Sequence, residues 1–336
     1  MSDSKKRLNV SLSAVWCSYS ERELIWVSRL VHSDGSYMTA TSESMPARCS
    51  VHEIKLMANT MRHEIIQMLA RAGSGHPGGS LSAVDVIATL YFSGLMNYDE
   101  NDPTWEGRDF FILSKGHAAP ALYAAIHQLG WVTDEDIDSL RTLGSKLQGH
   151  PDSKMTPGVE VCTGSLGQGL SVGAGAALGF KLDAKRAKCD ARRVFVMTGD
   201  GELQEGQNWE AIMFAAQHHL DNLILYCDIN NLQIDGRVTD VNSLGNLSAE
   251  LCDFGWYVQE IDGNDVTAIE NATRAALAYG GKPCAILCDT VKGKGVSFME
   301  DAVGWHGSAP SQEQAAIALA DLDRERQELE SEDTCG

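Results

Sequence analysis

The chain has 336 residues, of which 43% are hydrophobic, enough for one large core or two modest ones. Acidic residues outnumber basic ones by 46 to 27, and the net charge of -19 argues against nucleic acid and anionic membranes as partners. No apolar run is long enough to span a bilayer, and the nine cysteines include no Cys-x-x-Cys pair, so we expect neither zinc nor disulfides and a reducing, cytoplasmic setting.

The first 45 residues differ in composition from the rest. A basic start at residues 5–7 precedes a short, serine-broken apolar stretch without a small-residue cleavage site, which argues against a signal peptide. Residues 32–44 have the composition of a linker. We therefore expect an amino-terminal extension at 1–45, flexible or packed on a partner, a main domain at 46–320, and an acidic tail at 321–336 that forms a terminal helix fraying into solvent.

Histidines beside glycines recur along the main domain. His76 and His117 each precede a predicted helix, and His150 and His306 lie in loops. A helix start presents backbone N–H groups next to the imidazole, which suits an anion or a hydroxyl group. A single histidine of this kind is usually structural or solvated, but four in similar settings indicate a shared functional site.

Residues 163–182 form a glycine-broken loop that runs into a helix rich in Gly and Ala. Its spacing Gly173-x-Gly175-x-x-x-Gly179 is one residue too long for a dinucleotide fingerprint, and no strand precedes it. We expect instead a backbone that approaches a ligand on one side and a sheet on the other.

Two apolar runs at residues 193–198 and 222–229 predict buried, neighbouring strands, and the segment between them has helical periodicity, with Met213 among its inward positions. A right-handed crossover makes such strands parallel and brings the loops that follow them to one edge of the sheet. Asp200 and Asn230 occupy these two loops. Their oxygens are the hard donors that Mg²⁺ or Ca²⁺ prefers, so the pattern predicts a metal site.

Eight motifs fall together in the order and spacing of one known family: SGHPGG, SKGHA, QGHPD, PGVEVCTGSLGQG, GDGELQEG, DINNLQIDG, TVKGKG and WHGSAP. From about residue 58 to 310 the chain resembles the amino-terminal, diphosphate-binding domain of the transketolases. The resemblance implies an α/β thiamine-diphosphate-binding fold, with a mostly parallel central sheet flanked by helices. It also implies thiamine diphosphate and a divalent metal, Mg²⁺ or else Ca²⁺ or Mn²⁺, as cofactors.

The resemblance further implies roles for individual residues. The metal ligands would be the side chains of Asp200 and Asn230 and the carbonyl of Leu232. Catalytic residues lining the substrate channel would be His76, His117, His150 and His306. The residues contacting the cofactor would be His117, Gly164, Ser165, Leu166, Gly199, Asp200, Gly201, Asn230, Ile234 and His306. Glu205 and Glu210 would lie near an interface between subunits.

Transketolase chemistry moves a two-carbon ketol unit from a ketose, often a phosphate, to an aldose, and the thiazolium ring of the cofactor stabilises the carbanion formed. Family members normally continue into a pyrimidine-binding domain whose glutamate hydrogen-bonds the cofactor ring. Only thirty residues follow His306, too few for a further domain. We therefore expect the amino-terminal subunit of a two-chain transketolase, active only with a carboxy-terminal subunit in an α2β2 heterotetramer.

Three alternatives stay open at this point. One is the α subunit of a thiamine-dependent 2-oxo acid dehydrogenase, which shares the GDG signature. Another is a deoxyxylulose-phosphate synthase fragment, disfavoured by QEG after GDG, and the third is a non-catalytic regulatory homologue that binds thiamine diphosphate. The donor and acceptor sugars are not specified by these motifs, and a phosphosugar and a sulfosugar fit equally well.

Overall fold

The structure, a computed structural model, describes residues 49–333, so the predicted extension at residues 1–45 lies outside the described residues. The α-helices are α1 (Val51–Ala72), α2 (Pro77–Phe92), α3 (Ala119–Gln128), α4 (Asp134–Asp138), α5 (Gln168–Ala187), α6 (Gly206–Gln217), α7 (Val238–Asn242), α8 (Leu247–Asp253), α9 (Val266–Ala278) and α10 (Gln312–Asp333). The strands are β1 (Phe110–Leu113), β2 (Val194–Gly199), β3 (Leu223–Ile229), β4 (Leu232–Gln233), β5 (Gly236–Arg237), β6 (Tyr257–Asp262) and β7 (Cys284–Asp289).

The central sheet has five strands in the order β1-β2-β3-β7-β6, and every pair in it is parallel. This confirms the predicted α/β class with a mostly parallel sheet. The two strands predicted from apolar runs are β2 and β3, each found within one residue of the predicted bounds, and they are hydrogen-bonded neighbours. The carboxyl ends of β1, β2, β3 and β7 consequently open onto one edge of the sheet.

Both faces of the sheet are buried, because successive side chains of each strand point to opposite sides. Phe195 and Met197 of β2 pack in the core formed with α1, α2, α3 and α9, whereas Val194 and Val196 pack in the core formed with α5, α6 and α8. The prediction for Met213 is wrong: this residue of α6 is 49% exposed. The inward face of that helix is formed by Ala211, Ile212 and Ala215.

Helix α2 holds one of the predicted histidines at its start. Pro77 occupies the first turn, where its missing N–H costs no hydrogen bond, and every residue of the helix is buried. His76 is therefore fixed at the end of a rigid element. Within residues 49–333, no helix is long and apolar enough to cross a membrane.

The end of the main domain differs from the prediction. Helix α10 continues through the expected boundary at residue 321, and Leu322 is fully buried. The side-chain amide of Asn59 on α1 donates to the Leu322 carbonyl and to Glu325, both at 2.9 Å. The tail predicted to fray is thus packed on α1 at least to Arg326, which donates to Thr60 at 3.0 Å.

Candidate active site

The loops after β2 and β3 are joined by hydrogen bonds of Asp200. One carboxylate oxygen accepts from the Gly201 N–H at 2.7 Å, and the other accepts from the Asn231 N–H at 2.5 Å. The Asp200 N–H itself donates to the Asp228 carbonyl on β3 at 3.1 Å. Burial and then the neighbouring Asp228 raise the pKa of Asp200 to about 6. A cation beside this carboxylate would keep it ionised.

Asn230 is held with its side-chain amide in one orientation. Its Oδ1 accepts from the Leu232 N–H at 3.1 Å, and its Nδ2 donates to Asp228 Oδ2 at 3.2 Å. The Leu232 carbonyl accepts from Lys292 Nζ at 2.7 Å. A carboxylate, an amide oxygen and a peptide carbonyl on the same cleft fit a divalent cation of the Mg²⁺, Mn²⁺ or Ca²⁺ type.

Beneath these loops lies a buried ion pair between Lys115, which follows β1, and Asp228 on β3. Asp228 also accepts from the Ser82 hydroxyl at 2.7 Å and from the Thr290 hydroxyl. Burial alone would raise the pKa of Asp228, but Lys115 and these hydroxyl donors lower it below its ordinary value. The pair therefore joins the loop after β1 to the strand that precedes Asn230.

Glu202, in the lining of the cleft, connects three further segments. Its Oε1 accepts from the Ser114 hydroxyl at 2.5 Å and from the Gly167 N–H at 3.0 Å, and its Oε2 accepts from the Gly199 N–H at 3.1 Å. Burial raises the pKa of Glu202. This carboxyl group ties the loop that ends at Gly167 to the loop that carries Asp200.

Three of the four predicted histidines form one cluster. The ring centroids of His76 and His117 are 5.2 Å apart, those of His117 and His306 are also 5.2 Å apart, and His76 and His306 are separated by 5.6 Å. Within residues 49–333, Nδ1 of His76 is buried without a hydrogen-bond partner. That atom is free to bind a ligand group.

Each ring of the cluster is held neutral. Burial and then Lys115 lower the pKa of His117, and burial and then Arg141 lower the pKa of His76. Burial and then Lys292 lower the pKa of His306 to about 3. A neutral imidazole can donate a hydrogen bond from one nitrogen and accept one at the other.

Lys292 lies between the oxygen donors and the histidine cluster. Its Nζ is 2.7 Å from the Leu232 carbonyl and 3.0 Å from Nδ1 of His306. Burial and then Lys115 lower the pKa of Lys292 to about 8. A buried ammonium group next to a hard-cation site is suited to binding a phosphate.

The loop at residues 163–167 requires glycine for close packing. Gly164 has φ 127°, and a Cβ at this position would lie 2.6 Å from the ring of His150. His150 therefore packs on this loop rather than in the histidine cluster, and it is exposed. Desolvation and then Arg141 lower the pKa of His150.

The cleft at the carboxyl edge of the sheet has a volume of about 320 Å³, within the range of small-molecule sites. Its lining includes these predicted residues: His117, Leu166, Gly199, Asp200, Gly201, Glu205, Asn230, Leu232, Ile234 and His306. Outside the lining lie His76, although it belongs to the histidine cluster, and also His150, Gly164, Ser165 and Glu210, which is exposed on α6.

The cleft also contains residues to which the sequence pattern assigned no role: Lys115, Glu202, Asp228 and Lys292. Asp228 stands inside an apolar run, but that run does not reveal its partner or its place in the cleft, and Lys115 and Glu202 have no comparable local signal. Lys292 stands in the TVKGKG motif, but its position beside Leu232 depends on the loop after β7.

Residues 53–328 match the protein family described as "Transketolase, thiamine diphosphate binding domain". The fold and its cleft are therefore those of a thiamine-diphosphate-binding domain. The chain belongs to the transketolase family.

Two relatives are chains of similar length. The 6-deoxy-6-sulfo-D-fructose transketolase subunit SqwG of Clostridium sp. is 41% identical, over 81% of this chain and 97% of the relative. An apulose-4-phosphate transketolase subunit of Actinobacillus succinogenes is 37% identical, over 82% of this chain and 98% of the relative. Among solved structures, transketolase from Leishmania mexicana superposes with a TM-score of 0.73 and 29% identity, covering 86% of this chain but only 46% of that one.

Proposed function

We propose that this chain is the diphosphate-holding subunit of a two-chain transketolase, which transfers a two-carbon ketol unit from a ketose to an aldose. The observation that carries the proposal is the cleft in which a hard-oxygen donor set, a buried lysine and neutral histidines meet. The similarity to chains named as transketolase subunits, over 81% and 82% of this chain, supports it.

In this proposal Asp200, Asn230 and the Leu232 carbonyl hold the divalent metal. The buried Lys292 ammonium group binds the diphosphate oxygens. When bound, thiamine diphosphate supplies the electron sink for cleavage of the C2–C3 bond of the ketose. Gly164, Ser165 and Leu166 face the aminopyrimidine side of the cofactor.

The histidines act on the substrate. His76, His117 and His306 are neutral and packed against one another, so each can bind a sugar hydroxyl through one nitrogen. Neutral imidazoles can also accept and return protons as the C–C bond breaks and re-forms. His150 approaches the same substrate from the loop at Gly164.

A second chain completes the site. We propose that it carries the glutamate that hydrogen-bonds the cofactor ring and that two copies of each chain form a heterotetramer. The relatives named as subunits are covered almost completely by this chain, whereas the transketolase chain of Leishmania mexicana is covered to 46%. Glu205 and Glu210 are exposed and available for an interface between copies. The free thiols between residues 49 and 333 agree with a cytoplasmic setting.

The test is a calorimetric titration of thiamine diphosphate into the assembled chains, with Mg²⁺ and again with a chelator. We expect binding only with the cation. Equal affinity in the chelator would remove the metal site from the proposal, and no binding in either case would remove the cofactor as well.

A further inference from the structure

Glu202 is an acidic residue on the lining of the cleft, and it is only 3% exposed. It lies in the turn that follows β2, two residues after Asp200. A buried carboxylate is stable only when hydrogen-bond donors replace the water it has lost, and Glu202 has three such donors. None of the three is a cation, so this carboxylate is held by hydrogen bonds from neutral groups.

The three donors come from separate segments of the chain. Ser114 follows β1, Gly199 ends β2, and Gly167 stands directly before α5. Oε1 of Glu202 accepts from the Ser114 hydroxyl and the Gly167 N–H, and Oε2 accepts from the Gly199 N–H. A side-chain amide has one acceptor oxygen and one NH2 group, so it would turn a donor toward the N–H of either Gly167 or Gly199. Only a carboxylate satisfies both backbone groups.

The loop at residues 164–167 depends on Glu202 for its attachment. Gly164 has φ 127° and Gly167 has φ 85°, so two of its residues have wide conformational freedom. In the part of the chain that the structure describes, the bond from Gly167 to Glu202 is the one hydrogen bond that joins this loop to another loop. Without it the loop would keep its packing contacts but lose its fixed position relative to β2.

We propose that Glu202 is a positioning residue, which fixes the loop on the aminopyrimidine side of the cofactor relative to the loop that holds the metal. This inference rests on the proposed function, in which residues 164–166 face the aminopyrimidine and Asp200 binds the cation. The two loops hold opposite ends of one ligand, so their separation decides how the reacting atoms align. A misplacement of about 1 Å can lower a rate by about 100-fold.

The test is Glu202→Gln in the assembled two-chain enzyme, because this change keeps the size of the side chain and removes one acceptor. Hydrogen–deuterium exchange followed by mass spectrometry should show at least about tenfold faster exchange in the peptide that contains Gly167. The kcat for ketol transfer should fall by about 10- to 100-fold even at saturating thiamine diphosphate and Mg²⁺. Saturation separates positioning from stability, because bound cofactor would restore the activity of a variant that is only less stable.

Three further variants complete the test. Ser114→Ala removes the hydroxyl donor but keeps both N–H bonds, so kcat at saturation should fall at most about threefold. Glu328→Gln, exposed on α10, is the matched control and should behave as the wild type does. If a thermal melt shows that Glu202→Gln does not fold, Glu202→Asp takes its place, since it keeps the charge on a side chain shorter by one methylene group, and kcat should again fall by about tenfold or more.

Wild-type kcat at saturation in the folded Glu202 variant, or unchanged exchange at Gly167, would overturn the role of Glu202. A wild-type assembly without ketol transfer would instead overturn the proposed function, and the role of Glu202 with it.

Discussion

Nζ of Lys292 lies 3.0 Å from Nδ1 of His306, so the ammonium group and the imidazole share one side of the cleft. The proximity of this cation is one cause of the low pKa of His306, after burial. The ring can then accept a hydrogen bond from the lysine or from a ligand. Removing the lysine should consequently affect phosphate binding and the histidine together.

Lys292→Met should weaken thiamine diphosphate binding by at least about tenfold, because a buried ammonium group facing the phosphates is lost. It should also raise the pKa of His306, measured by NMR titration of the imidazole. Lys294→Met is the matched control, since Lys294 lies two residues on and outside the cleft lining. Unchanged affinity in the Lys292 variant would place the phosphates elsewhere.

Asp200→Ala should abolish the cation-dependent part of thiamine diphosphate binding, because the proposed metal site loses its one charged ligand. Titration with and without chelator measures that part directly. Asp235→Ala, in the exposed turn between β4 and β5, should bind as the wild type does. Retained cation dependence in Asp200→Ala would contradict the assignment of the metal ligands.

His150→Ala should lower kcat/KM by about 100-fold, the size of effect expected for a lost acid–base or hydrogen-bonding partner. Cofactor affinity should change less than about tenfold, because His150 lies outside the lining of the cofactor cleft. A thermal melt checks folding, and His219→Asn serves as a control at an exposed position just beyond α6. Near-normal kcat/KM in a folded His150→Ala complex would exclude this residue from catalysis.

Lys115→Met should reduce the free energy of unfolding by about 3–5 kcal/mol, because it leaves the buried Asp228 carboxylate without its counter-charge. The double variant Lys115→Met/Asp228→Asn should recover part of this loss. Arg186→Met breaks an exposed pair with Asp183 and should cost at most about 0.5 kcal/mol. Chemical denaturation measures all three, and equal losses for the buried and exposed pairs would refute the argument.

The stability of the domain should fall in mild acid because of the neutral histidines. The folded pKa of His306 is about 3, whereas an unfolded histidine titrates near pH 6.5. Between these values the unfolded chain binds more protons, so the free energy of unfolding decreases as the pH falls below about 6.5 and is unaffected above it. In His306→Asn the free energy of unfolding should depend less steeply on pH, by up to about 1.4 kcal/mol per pH unit. Denaturation between about pH 5 and 8 measures this pH dependence. If the variant and the wild type showed the same dependence, a buried, neutral His306 would be contradicted.

The βαβ unit around Asp200 and Asn230 could be predicted because its signals are local. The apolar runs predict the bounds of β2 and β3 to within one residue. A right-handed crossover then places the loops that follow them at one edge of the sheet. A shared site for His76, His117 and His306 was indicated by their similar settings beside glycines and by the family resemblance. Periodicity alone does not bring together residues that lie 230 positions apart in the chain.

The supporting residues could not be predicted for the same reason. Lys115 and Asp228 pair across 113 positions, and each alone is an ordinary charged residue near the end of an apolar run. The terminal helix α10 was misjudged because its composition is acidic, although Leu322 and Ala318 bury a narrow apolar face. A strongly charged helix can still pack when a few side chains on one side reach a core.

Reconstitution tests whether this chain is active only together with a second chain. The purified chain is assayed for ketol transfer with thiamine diphosphate and Mg²⁺, alone and after mixing with a pyrimidine-domain chain from the same organism, while native mass spectrometry follows assembly. We expect no turnover by the isolated chain. Activity should rise with the second chain to a plateau at equal amounts, and the assembly should have the mass of two copies of each chain. Robust turnover by the isolated chain would contradict this expectation.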